Sequence, residues 1–313
     1  MEFVTYVGED GDRAGRVIED AIYGLPPHVR LLDVLGDLHE AGESALRAPA
    51  EVVPLASVRL RSPVPEPPTV RDFMTFEQHV EGVAKLMDAQ VPAQWYAAPA
   101  FYFTNPYAVI GPDDDVPLPP GCAVFDFELE VAAVLGRGGR DLSVEEAASC
   151  IAGYTLMNDW SARDLQIAEM EVRLGPVKGK DSATTLGPVL VTPDELEPYR
   201  AGNAFDLPMT AAVNGVTVGE DRWSNMAFSY PQMIAYASRG TEVRRGDVLG
   251  SGTCGGGCLA ELWGRKGFEA HAPLAAGDTV TLSVERLGVQ RCRVVEGVAP
   301  GPDSLRASQG PQS

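Results

Sequence analysis

The chain is poor in histidine, in basic charge and in long apolar runs. Its 313 residues hold four histidines, His28, His39, His79 and His271, so an imidazole has few places to act. Lys and Arg number 25 against 44 acidic residues, a formal net charge of −19. A surface this negative repels phosphate backbones and argues against nucleic acid as a partner. No run of about 18 apolar residues occurs, so no membrane span is predicted. The opening "MEFVTYVGEDGDRAGRV" carries neither a basic leader nor an apolar signal core, and a cytoplasmic location is the expectation. Five cysteines are an odd count, against a disulfide framework. No strand–GxGxxG–helix unit is present, which disfavours a nicotinamide-dependent oxidoreductase. Nor is there a repeat of solenoid length or a regular βαβ alternation, which argues against a doubly wound sheet.

What is present reads as an ordinary globular protein, 45% apolar and 22% charged. Residues 1–66 form a small N-terminal α+β unit, with strands in "MEFVTYVGE" and "AGRVIEDAIYGL" and a helix in "LLDVLGDLHEAGESAL". The proline cluster "RSPVPEPPTVRD" marks the boundary. A larger unit, residues 67–300, follows. It opens with a helix in "TFEQHVEGVAKLMDA", with Thr75 as N-cap and Val80, Val83 and Met87 on one face. Strands and loops then dominate. Ser143 and Glu146 have the spacing of a capping box, and Asn214-Gly215 signals a hairpin. Residues 301–313 are expected to be a disordered tail. The fold class predicted is α+β, mainly β.

Among those strands, "FDFELEVAAVLG", Phe125 to Gly136, alternates apolar residues with Asp126, Glu128 and Glu130. On a strand this puts three carboxylates on one face. Like charges so close repel and raise one another's pKa, and a hard divalent cation with its preference for oxygen ligands relieves that. A solvated acidic face accounts for the same pattern. Asp159, in "NDWSARDLQ", ends an apolar stretch beside Trp160, a position suited to a metal ligand or to capping a turn. Lys178 and Lys180 lie in the glycine-rich "GPVKGKD", where a lysine either stabilises an oxyanion or is simply exposed. Asp72 and His79 share "RDFMTFEQHVEG"; alone, His79 reads as a helix-surface residue. Cys254 and Cys258, in "GTCGGGC", fit no zinc signature and read as small buried side chains in a turn.

Taken in order, "RDF…QH", "AVIGP", "FELE", "NDWSARDLQ", "GPVKGKD" and "GDVLGSGT" resemble the catalytic domain of the fumarylacetoacetate hydrolase family, over roughly Arg71 to Val298. The resemblance implies a rolled β-sheet catalytic domain with a smaller N-terminal domain, assembled as a homodimer. It implies a divalent ion, Mg²⁺ with Ca²⁺ or Mn²⁺ as alternatives, held by Asp72, Glu128, Glu130 and Asp159. Asp126 has no ligand counterpart. His79 matches the general base and Lys180 the lysine that stabilises the oxyanion. Arg163, Gln166 and Thr253 match substrate-binding positions. The implied reaction is hydrolysis of a C–C bond in a 1,3-dicarbonyl or acylpyruvate-like 2-oxo acid through a metal-bound enolate. A decarboxylase, isomerase or hydratase, or a non-catalytic binder of metal and oxo acid, is the alternative.

Three features depart from the family pattern. Two tyrosines of the fumarylacetoacetate-cleaving enzyme are replaced by Met74 and Met170, which suggests a more apolar pocket. The loop that carries its histidine-orienting glutamate reads "CGGGC" here and has no acid. Short acylpyruvate-cleaving members place that glutamate three residues after the histidine, where this chain has Gly82. A histidine with no orienting acid is a weaker base, so the sequence argues against fumarylacetoacetase itself.

Overall fold

A strand that reads as half-buried is here covered on both sides. In the computed structural model, which describes residues 1–86, 89–299 and 301, the strand Leu129–Leu135 is buried along its whole length. Leu129, Val131, Ala133 and Leu135 belong to the larger apolar core, and Ala132 and Val134 to a smaller one. Glu130 therefore faces the same side as Ala132, and its charge is enclosed.

This strand lies inside a twelve-stranded sheet. Ile151–Asp159 runs antiparallel on one side, with Glu130 opposite Met157 and Leu129 opposite Asn158. On the other side Val248–Gly250 is antiparallel, with Ala132 opposite Gly250. Val70–Phe73 then pairs in parallel with Val248–Gly250, which sets Asp72 opposite Gly250. Phe101–Thr104 closes that end, with Tyr102 opposite Asp72. These registers bring five separate stretches of chain together as adjacent strands. In the other direction Leu190–Val191 connects to Glu2–Gly8, Gly11–Ile18, Ala21–Gly24 and Val52–Pro54. Backbone pairing thus crosses residue 66: the first strand docks on the larger unit, Glu2 opposite Val191. A second sheet of five strands is built on Pro208–Val213, Thr279–Val284 and Gly288–Val295. Alternate residues of its inner strands, among them Met209, Ala211, Val280 and Leu282, fill the larger core. The fold is α+β and dominated by sheet.

Local expectations meet mixed outcomes. Ser143 and Glu146 form the capping box, with both reciprocal bonds made. Asn214 and Gly215 both have positive φ (51° and 80°), as the hairpin turn requires. The helix expected from Thr75 spans Glu77–Leu86. Thr75 does not cap it, because its hydroxyl donates to the Ser251 carbonyl at 2.6 Å. Met87 lies outside the described residues, as does the expected tail apart from Gly301. The acidic stretch is two strands, Phe125–Asp126 and Leu129–Leu135. The ladder breaks where the Glu128 amide donates to the Asn158 side chain at 3.0 Å. Among the described residues no helix is long and apolar enough to cross a membrane.

Candidate active site

The solvated-face reading of the acidic strand is overturned by burial. Asp126 and Glu130 are 0% exposed and Glu128 5%. Glu128 and Glu130 converge with Asp72, from the Val70–Phe73 strand, and Asp159, from the end of Ile151–Asp159. One oxygen from each lies within 4.8 Å of the others.

Three buried oxygens there, Asp72 Oδ1, Glu130 Oε1 and Asp159 Oδ1, have no hydrogen-bond partner. Unpaired buried carboxylate oxygens are costly, and oxygens from all four acids are a donor set suited to a hard divalent cation. The backbone leaves room for the convergence at Gly250. A Cβ there would come within 2.6 Å of Asp72 Oδ1 and 2.9 Å of Glu130 Oε2. The residues present therefore fit a divalent ion.

Cationic and polar partners hold the remaining oxygens. Lys180 Nζ donates to Glu128 Oε2 at 2.5 Å and to Asp159 Oδ2 at 2.7 Å, fully inside the protein. Lys178 is exposed and pairs with Asp181, so the two lysines of the loop separate cleanly. The Tyr102 hydroxyl is hydrogen-bonded to Asp72 Oδ2 at 3.0 Å and also to Asp159. The Gly252 amide donates to Glu130 Oε2 at 3.0 Å. The turn that supplies it is laid along the acidic strand by Ser251 N to Val131 O (2.8 Å) and Cys254 N to Leu129 O (3.0 Å). Thr253, the next residue of that turn, is buried. Arg163 pairs through Nη2 with Glu128 Oε1 at 2.8 Å and through Nη1 with Gln166 Oε1 at 3.1 Å.

Crowding of charge splits the acids. Burial, with the charge of Asp159 beside it, raises the Asp72 carboxyl from 3.8 to about 8. Burial, with Asp72 and Glu128 adjacent, pushes Glu130 well up. Asp159 is raised by burial even though Lys180 opposes this. Burial pulls Glu128 upward as well, but Lys180, Arg163 and then His79 hold it well below the usual range. The folded chain thus keeps a proton on Asp72 that the unfolded chain releases above 3.8. The folded state binds more protons in that window, so its stability falls as pH rises from 3.8 to about 8. Thermal melts without divalent cation should show this decline, and added Mg²⁺ should reverse it by taking the place of the protons.

His79 is 5% exposed, not on a helix surface, and its Nδ1 lies 2.7 Å from Glu261 Oε1. An acid beside the histidine is thus supplied from outside the "CGGGC" loop, by the helix Leu259–Lys266 just beyond it. Glu261 is wholly buried, and its Oε2 accepts from the Gly256 amide at 2.8 Å and from Arg265. Its carboxylate fills the space over Gly82, where an added Cβ would meet Glu261 Cγ at 2.9 Å. Glycine at 82 and glutamate at 261 are therefore complementary. Gly82→Ala, a helix-favouring change elsewhere, should here destabilise by about 1–3 kcal/mol through overpacking and lower any turnover; an equilibrium melt checks the sign.

Cys258 Sγ is 3.9 Å from His79 Nδ1, and His79, Cys258 and Glu261 are close enough to share a metal. Both oxygens of Glu261 are already occupied, and burial, with Asp126 nearby, pushes the Cys258 thiol well up. This group is a hydrogen-bonded His–Glu pair with a protonated thiol beside it. Glu261 and Tyr102 are the site residues the sequence reading missed. The one available signal for Glu261 was an acid on a helix one step past the glycine turn. Met74 and Met170 are 43% and 49% exposed, at the surface.

Buried acids able to hold a divalent cation thus lie next to an ammonium and a hydrogen-bonded His–Glu pair, the set of groups that acid–base chemistry on a chelating ligand would require. Residues 69–295 match the family model described as fumarylacetoacetate (FAA) hydrolase C-terminal, and the chain belongs to that family. It is 37% identical over 186 residues to a 2,4-didehydro-3-deoxy-L-rhamnonate hydrolase of Sphingomonas sp. (strain SKA58), covering 59% of this chain and 61% of that one. It is 30% identical over 254 residues to the human mitochondrial oxaloacetate tautomerase FAHD2A, covering 80% and 74%. The chain spans less than two thirds of the first of these, and of two fumarylacetoacetases it also matches. Its fold superposes on maleylpyruvate hydrolase from Sphingobium sp. SYK-6, solved with manganese(II) and pyruvate, with a TM-score of 0.71 and 24% identity over 95% of this chain and all of that one.

Proposed function

We propose that this protein is a divalent-metal-dependent hydrolase that cleaves a C–C bond in a 1,3-dicarbonyl or acylpyruvate-like 2-oxo acid. The observation that carries the reading is the buried His79–Glu261 pair beside the four-carboxylate cluster and Lys180. Relatives named for hydrolysis and for tautomerisation of oxo acids support the substrate class.

Glu261 accepts the Nδ1 proton of His79, which leaves Nε2 as the basic nitrogen. His79 then takes a proton from water as the water oxygen bonds to the acyl carbon. Lys180, kept charged by Asp159 and Glu128 against the pull of burial, faces the negative charge that develops on the carbonyl oxygen. When the C–C bond breaks, its electron pair passes into the enolate of the 2-oxo acid, and the proton held by His79 returns to that carbon. The products are a carboxylic acid and a 2-oxo acid, with one water consumed. A cation held by Asp72, Glu128, Glu130 and Asp159 would supply Lewis acidity and orient the two oxygens of the substrate. Mg²⁺ is the first choice for an all-carboxylate site, with Mn²⁺ and Ca²⁺ next.

The test follows loss of enol absorbance over a panel of acylpyruvates and β-diketo acids, with and without chelator, and identifies products by mass. Metal-dependent gain of water with two fragments supports hydrolysis. Unchanged mass moves the reading to a tautomerase or isomerase, and loss of carbon dioxide to a decarboxylase.

A further inference from the structure

Asp126 is the acid of the strand that the carboxylate cluster does not use. It is wholly buried, and five N–H groups converge on its two oxygens. Oδ1 accepts from the amides of Phe127 (2.8 Å) and Leu259 (2.8 Å). Oδ2 accepts from the Ala260 amide (3.0 Å) and from Arg163 Nε (2.9 Å) and Nη2 (2.8 Å). A carboxylate offers about four lone-pair sites, so none remains for a cation or a substrate.

Its partners lead in two directions. Leu259 and Ala260 begin the helix Leu259–Lys266, whose N-cap residue Cys258 makes no side-chain cap bond. Asp126 supplies that cap from a different strand, with the charge sign the helix dipole favours. The next residue on the helix is Glu261, which holds His79. In the other direction Arg163 Nη2 reaches Glu128 Oε1. One side chain thus pins both the start of the helix behind the base and the guanidinium behind a candidate metal ligand.

We infer that Asp126 is a positioning residue that sets the His79–Glu261 pair in register with the four-carboxylate cluster. This rests on the hydrolase reading, although two of its readouts need no substrate. Asparagine keeps the size of Asp126 but has one acceptor oxygen, and its NH₂ would face N–H donors. In Asp126→Asn the helix start loosens and Arg163, freed on one side, competes with a cation for Glu128. Supporting residues behind a metal centre typically change affinity or activity by about 10–100-fold.

The experiment measures Mn²⁺ affinity by calorimetry and the Nδ1–H proton resonance of His79, assigned by its absence in His79→Ala. In folded Asp126→Asn, Mn²⁺ affinity should fall by about 10–100-fold and the resonance should shift or vanish. Turnover, where the wild type shows it, should fall in kcat more than it changes in KM. Adding Asp126→Asn to Glu261→Gln should then lower kcat by less than it does alone. A folded variant in which either the affinity or the resonance stays at the wild-type value overturns the inference. If Asp126→Asn does not fold, Arg163→Lys, which keeps the helix cap and loses the forked contact, decides it. Loss of Mn²⁺ affinity with the His79 resonance unmoved supports two separate arms meeting at Asp126, and unchanged affinity overturns it. A wild type inert on every oxo acid sinks the hydrolase reading and leaves both substrate-free readouts standing.

Discussion

His79→Ala should lower turnover by about 10²–10⁴-fold while divalent-cation binding stays within experimental error. His79 is not among the four clustered acids, so its removal takes away the base and none of the oxygen ligands. Glu261→Gln should cost less than His79→Ala, because it impairs only the orientation and tautomer of the ring. The double variant should be no worse than His79→Ala alone, since two residues acting as a unit are not additive. Complementarity with Gly82 provides a sharper check. Gly82→Glu combined with Glu261→Gly moves the carboxylate to the helix of His79, three residues after it, and should recover part of the turnover lost in Glu261→Gly. Turnover in His79→Ala equal to wild type would remove His79 from the mechanism.

Glu130→Gln should nearly abolish the stabilisation that a divalent cation gives. Glu130 contributes an unpartnered buried oxygen to the cluster, and its Oε2 is already bound by the Gly252 amide. A cation present at 100 times its dissociation constant stabilises the folded state by about 2.7 kcal/mol, an increment readable as a rise in Tm. In Glu130→Gln that rise should disappear at the same concentration. Without metal, the variant should melt at or above the wild type, because one carboxyl of a mutually repelling set is gone. A variant that keeps the full metal-induced rise would place the ion elsewhere, and one that melts far lower without metal would assign Glu130 a purely structural part.

The strands, the hairpin at Asn214-Gly215, the capping box at Ser143 and the mainly β class were legible in the sequence, because each depends on neighbours within a few residues. So were Asp72, Glu128, Glu130, Asp159, His79 and Lys180, whose ordered motifs carry the family resemblance and whose side chains the fold brings to two adjoining buried clusters. Burial was not legible: alternation alone made the acidic strand look half solvated, and only the second core behind Ala132 and Val134 encloses it. The acid that orients His79 was not legible either, since residues 79 and 261 meet through packing of two helices that are 182 positions apart. For the same reason the grip of Arg163 on Asp126 and Glu128 was not legible along the chain. Local chemistry is written in spacing along the chain, whereas the pairing of buried charges depends on distances across it. Only the folded backbone, with its strand registers and its glycines at 82 and 250, determines those distances.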